Sequence, residues 1–180
     1  MLSPVDPQDA KNEVVRAAKM GFREANFLVN DVTLEMNFKP WDVFWDAAED
    51  AGIVVSYHVG GSVQSGTVRA TLDAVKPGER QGVFDMGLSN GATSFFNPFV
   101  NMFNFGTLER HPKLKVVCVE ADAGWVPHFM YRMDHAYNRH RYWLPAGQEL
   151  SKLPSEYFAE NIYVTFQDDW TAFRFADSMN

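Results

Sequence analysis

The sequence contains a single cysteine, Cys118, so no disulfide can form within the chain. A reducing compartment, the cytoplasm, is the expectation. No apolar run approaches the ~20 residues that a membrane helix needs. The first residues, MLSPVDPQDA, have neither the basic nor the apolar segment of a signal peptide. Basic clusters are scarce as well. The densest is Arg139-His140-Arg141, in a chain of formal net charge -7 and isoelectric point near 5.1. Phosphate backbones demand clustered Lys and Arg, so neither nucleic acid nor membrane is expected as a partner. No GxGxxG or P-loop pattern occurs, and Gly60-Gly61 is too short to be a phosphate loop. No serine lies in a nucleophile-elbow context.

What is present is a globular composition. Of 180 residues, 46% are hydrophobic and 22% charged, enough for one domain with a real core. Asp6-Pro7-Gln8-Asp9 reads as a helix start: Asp6 caps, Pro7 suits the first position, and Asp9 favours the positive end. Val14, Val15 and Ala18 continue the apolar stripe to Gly21. Phe22–Val29 reads as a short strand and Asn30–Lys39 as a loop. Pro40 opens a second helix, with Trp41, Phe44, Trp45 and Ala48 at helical spacing, and Gly52 closes it. Ile53–Val59 is the next strand, followed by a long glycine-rich loop, Gly60–Gly91. Ser94–Arg110 is a phenylalanine-rich helix, apolar nearly all round, which must be buried or face a partner. Leu114–Val119 is a third strand, Trp125–Trp143 an amphipathic helix, and Leu144–Pro154 a linker. Ser155–Glu160 is a helical piece, Asn161–Phe166 a fourth strand, and Thr171–Met179 a last helix. Strands separated by helices imply crossover connections, hence an α/β fold with a parallel sheet.

Such sheets bind ligands at the carboxyl ends of their strands. The second strand, IVVSYHV, ends at His58. The third ends at Glu120, with Asp122 beyond it, and the fourth runs into Gln167, Asp168 and Asp169. Alternation puts Val54, Ser56 and His58 on one face of their strand, and Val116, Cys118 and Glu120 on one face of theirs. A histidine with several acids at one mouth suits a metal site or an acid–base pair. Each also has a bland reading. His58 can be a packed core histidine, Glu120 a salt-bridge partner, and Asp168 or Asp169 the cap of the last helix. His111, His128, His135 and His140 read as structural or solvated, and Cys118 as buried and inert.

Five stretches together carry a resemblance. They are GFREANFLV, PWDVFWDAAEDAGI, VVSYHVGG, LERHPKLKVVCVEADAGWVPHFMYRMDHAYNRHR and NIYVTFQDDW. In this order they resemble the amidohydrolase family related to aminocarboxymuconate-semialdehyde decarboxylase. The resemblance implies a (β/α)8 barrel of roughly twice this length. It also implies a divalent metal, commonly zinc, and hydrolysis or non-oxidative decarboxylation of a small carboxylated or cyclic substrate. His58 matches the family's metal ligand at the end of the fifth strand. Glu120 falls where decarboxylase members carry a catalytic histidine, which makes it the candidate acid/base or water-orienting group. Asp168, Asp122 and Trp125 are then expected around the pocket, Asp168 in a catalytic part. The family's HxH ligand pair does not occur in this sequence, nor does its SDxPH pattern. The chain therefore reads as a single partial barrel domain over residues 1–180, the fourth to seventh βα units. Open edges in such a half-barrel favour self-association into a homo-oligomer.

Overall fold

In the computed structural model, residues 1–60, 76, 78, 91–144 and 149–179 are described. Most of the glycine-rich loop and the middle of the Leu144–Pro154 linker lie outside them. The first helix, α1 (Pro7–Lys19), starts as expected: Asp6 Oδ1 accepts from the N–H groups of Gln8 and Asp9 at 2.8 and 2.9 Å. Strand β1 is Glu24–Leu28, shorter than the sequence suggests because the chain turns into a 3-10 segment at Val29. Pro40 likewise sits in a 3-10 turn, and α2 (Asp42–Ala51) begins after it, ending where Gly52 takes a left-handed φ of 61°. Strand β2 is Val54–His58. The phenylalanine-rich segment is not one helix. A 3-10 turn leads into α3 (Phe96–Asn104), and Gly106, at φ 66°, separates it from α4 (Thr107–Arg110). Then come β3 (Val116–Val119), α5 (Val126–His140), α6 (Pro154–Asn161), β4 (Ile162–Val164) and α7 (Trp170–Arg174).

The four strands form one sheet in the order β1-β2-β3-β4, every pair parallel. The register sets Phe27 beside Tyr57, and Tyr57 beside Cys118. These residues, with Ala25, Val55, Val116 and Ile162, are buried on one face of the sheet. Helices cover that face. The ring of Phe44 in α2 meets Phe27 edge-on at 5.4 Å, and Phe99 in α3 meets Tyr57 at 6.0 Å. The opposite face carries Glu24, Asn26, Leu28, Val54, Ser56, His58, Val117, Val119 and Tyr163, of which only Ser56 is fully buried. Ser56 is satisfied there: it donates to Glu24 and accepts from Asn26 Nδ2 at 2.8 Å.

Phe99 is the hub of the helix-side core. It is wholly buried and touches the rings of Tyr57, Phe95, Phe103, Trp125 and Phe158. The phenylalanine-rich segment is therefore core packing. Phe99→Ala is expected to cost about 3–5 kcal/mol in urea unfolding, since five neighbouring rings cannot all relax into the void. A loss under about 1 kcal/mol, the level of a tolerated core swap, would contradict this placement.

Candidate functional site

In a parallel sheet every strand runs its carboxyl end to the same rim. His58 is the last residue of β2 and sits beside Leu28 of β1 and Val119 of β3. Burial of Val55 and Tyr57 against the helices turns the intervening residues, Ser56 and His58, to the open face. The His58 ring is fixed from behind: Nδ1 lies 2.8 Å from the carbonyl oxygen of Val59. A carbonyl only accepts, so Nδ1 carries the hydrogen and Nε2 is left to face outward. Histidines that ligate metals are commonly held this way.

Nε2 of His58 lies 3.3 Å from Glu120 Oε2, and both side chains are partly open to solvent. Strict alternation does not predict this contact. Val119 shares the face of His58, so a regular strand would send Glu120 to the opposite, helix-covered side with Cys118. Instead β3 stops at Val119, and Glu120 takes a positive φ of 59°. Asp122 follows with φ 52°. Left-handed residues other than glycine cost roughly 1–2 kcal/mol each. The left-handed φ of Glu120 takes its side chain out of the alternation of β3, towards His58.

Hydrogen bonds to the segment after β4 hold this turn. The Glu120 N–H donates to Thr165 Oγ1 at 3.1 Å, and Asp122 Oδ1 accepts from the Gln167 N–H at 3.1 Å. Asp169 Oδ2 accepts from Ala123 and Gly124 at 2.7 and 2.6 Å, and its Oδ1 caps α7 through the Ala172 N–H at 2.8 Å. Burial opposes ionisation of Asp169. The N–H groups of Ala172, Ala123, Gly124 and Thr171 outweigh it and hold the carboxyl below the ordinary aspartate range. Gly124 must be glycine for space: a Cβ there would lie 2.6 Å from Thr171 Cβ and 2.8 Å from Asp169 Oδ1. Sequence reasoning gave Asp169 as one of the strand-end acids or as a cap of the last helix, and did not find Thr165 or Gly124. The small residues of Ala121-Asp122-Ala123-Gly124 were the available sign of close backbone approach.

Glu120, Asp122, Trp125 and Asp169 line one open pocket of about 380 Å³, with Gly91 and Thr171 on its wall. Trp125 has no free donor to offer the pocket. Its Nε1–H is spent on the carbonyls of Ala121 and Asp122, at 3.0 and 2.9 Å. Asp168 is exposed on the segment after β4 and is not among the residues lining this pocket. Cys118 is buried, and burial pushes its thiol well up, in keeping with an inert role. His111 is buried with Nε2 3.2 Å from Asp42, while His128, His135 and His140 are exposed.

Whether these residues suit a divalent metal is a question of kind, spacing and number. An imidazole nitrogen and a carboxylate oxygen are the right kinds. Two donors about 2.1 Å from one ion lie roughly 3.0–3.4 Å apart, which brackets the His58–Glu120 separation. Number falls short, because among the described residues no three His, Cys, Asp or Glu side chains converge on a metal position. The chain fits as a partial site.

The fold and rim geometry define a class. Four parallel βα units with donors at the strand ends make up about half of a (β/α)8 barrel, and solved structures share this architecture. An amidohydrolase from Mycobacterium avium subsp. paratuberculosis K-10 superposes with a TM-score of 0.73 at 21% identity, over 99% of this chain and 44% of its own. The 5-carboxyvanillate decarboxylase of Sphingomonas paucimobilis gives 0.68 at 21% identity, over 98% and 50%. A dihydroxybenzoic acid decarboxylase from Polaromonas sp. JS666, with bound manganese and 2-nitroresorcinol, gives 0.62 at 18% identity, over 97% and 51%. The chain thus spans about half the length of the structures it matches. No protein-family model matches the sequence. No helix among the described residues is long and apolar enough to cross a membrane.

The lowered carboxyl of Asp169 gives a pH prediction. Its folded value lies below the unfolded value of about 3.9, so the stability it contributes is complete above that pH and is lost as pH falls through the folded value. Wild type is expected to be more stable than Asp169→Asn above about pH 4, and the gap to close on further acidification. Urea midpoints measured across that range test it. A gap independent of pH would show that the charge of Asp169 is not what the backbone donors hold.

Proposed function

We propose that this chain carries part of the active site of a divalent-metal-dependent enzyme of the amidohydrolase type. It would act by hydrolysis or non-oxidative decarboxylation on a small carboxylated or cyclic substrate, in the cytoplasm. The observation that carries this is the rim pair: His58 Nε2, oriented by the Val59 carbonyl, 3.3 Å from Glu120. His58 is the metal ligand in this reading, held in one tautomer so that Nε2 stays available. A bound divalent ion supplies Lewis acidity, polarising a substrate oxygen or lowering the pKa of water to about 7. Glu120 takes up or returns the reaction's proton at its carboxylate. Trp125 walls the pocket with its ring, Asp122 braces the turn below Glu120, and Asp168 is free to meet substrate from the segment after β4. Zinc follows from the family resemblance. Manganese is the ion in the Polaromonas structure, so both ions are tested.

One strong donor pair holds an ion weakly, since catalytic zinc sites use about three protein ligands. The 180-residue chain is therefore expected to keep far less than one equivalent of zinc or manganese through gel filtration, and to show little turnover. Titration with either ion should perturb the His58 ring signals, and His58→Ala should abolish saturable binding. Saturable binding that survives His58→Ala would remove the basis of this reading. Full retention of one equivalent, lost in the variant, would keep His58 as ligand and overturn the weak-site expectation.

A second reading is favoured by a separate observation. Strands β1 and β4 are the edges of the described sheet, and Tyr163, Phe166, Trp170, Phe173 and Phe175 are exposed on and beyond β4. Unpaired strand edges beside apolar surface attract partners. In this reading the chain is a non-catalytic paralogue that self-associates or binds another protein. Its mass by sedimentation equilibrium is expected to rise with concentration, and Phe173→Glu with Phe175→Glu to reduce that rise. A concentration-independent monomer would count against it.

A further inference from the structure

A Glu120 able to meet His58 needs a backbone that a free loop would not keep. Two non-glycine residues in a stretch of three are left-handed, and the strand must end at Val119 for the turn to begin. Something must over-determine that turn. The bonds from Thr165 and Gln167 tie down its first half. The second half rests on one carboxylate. We propose that Asp169 is a positioning residue, whose Oδ2 accepts from the Ala123 and Gly124 N–H groups and thereby holds Glu120 against His58. The proposal rests on the reading of His58 and Glu120 as the functional pair.

The two oxygens of Asp169 divide the work. Oδ1 caps α7, a task that Ser, Thr or Asn performs equally well. Oδ2 takes two further N–H groups that a cap does not require. An Asn side chain has only one acceptor oxygen and could not serve both sets. The carboxylate is buried at 8% exposure, and no ion pair among the described residues includes it. Backbone donors alone offset its desolvation. Gly124 completes the device, since any Cβ there would push into Asp169 Oδ1 and Thr171. Asp169 touches neither His58 nor Glu120 in any hydrogen bond or ion pair described. It acts through the backbone between them.

Asp169→Asn separates the two tasks, because Asn keeps an oxygen for the cap and offers the clamp an amide that cannot accept. The readout is the nuclear Overhauser contact between the His58 ring and the Glu120 γ-methylene protons in the metal-free chain. Wild type is expected to show it. In Asp169→Asn it should disappear while contacts between β2 and β3 remain, and manganese chloride should bind roughly tenfold more weakly. Asp169→Ala should do the same and also fray α7. Gly124→Ala should reproduce the loss with Asp169 intact, which covers the case in which the Asp169 variants fail to fold. If Asp169→Asn keeps the contact and the manganese affinity while only Asp169→Ala frays α7, Asp169 is merely a cap and the proposal falls. A wild type without the contact also overturns it. If the contact responds as expected but manganese binding ignores His58→Ala, the metal reading fails and the positioning role stands.

Discussion

The parallel register of β2 against β3 is the constraint on which the rest depends. It sets His58 beside Val119 and so brings the residue after β3 within reach of an imidazole. Nothing at the rim enforces that register. The enforcement comes from the helix side, where Val55 and Tyr57 of β2 and Val116 and Cys118 of β3 are buried in one core and Tyr57 meets Phe99 of α3. A one-residue slip of either strand would turn that strand's two buried residues to the open face, at a cost in apolar burial that no polar contact at the rim could offset. The chemistry-bearing side chains are thus placed by their apolar neighbours. His58 faces outward because Tyr57 must face inward.

The same logic shows what was legible in the sequence. Among the described residues every strand and most helices follow from apolar periodicity and from the caps at Asp6 and Gly52, because these are local statements about burial and backbone freedom. The place of His58 at the end of β2 was legible because the β-branched run stops there, whereas its reading as a ligand came from the family resemblance. The break at Gly106 was not, since phenylalanines run through it and hide the glycine's left-handed turn. The Glu120 contact was hidden for a different reason. Alternation is a rule about extended backbone, and it fails at a residue that leaves the extended region. Applied to β3 it puts Glu120 on the wrong face, and only the turn's partners on another strand's loop restore it. Asp169 is hard to read for the same cause: its partners are backbone N–H groups some 45 residues away, and backbone groups leave no mark on sequence.

The glutamate itself bears on the proposed chemistry. An imidazole at this position could serve as a cationic proton donor. An ionised carboxylate accepts only. Decarboxylation leaves a carbanion that needs a proton delivered to carbon, whereas hydrolysis needs a proton removed from water. A carboxylate oxygen 3.3 Å from His58 Nε2 is placed to accept a proton. Within the proposed function a glutamate here suits water activation more directly than delivery of a proton to carbon, although two of the three structural neighbours reported are decarboxylases. Fold similarity at this level of identity carries the fold alone, and in the proposed chemistry the direction of proton transfer follows from the side chain at the rim.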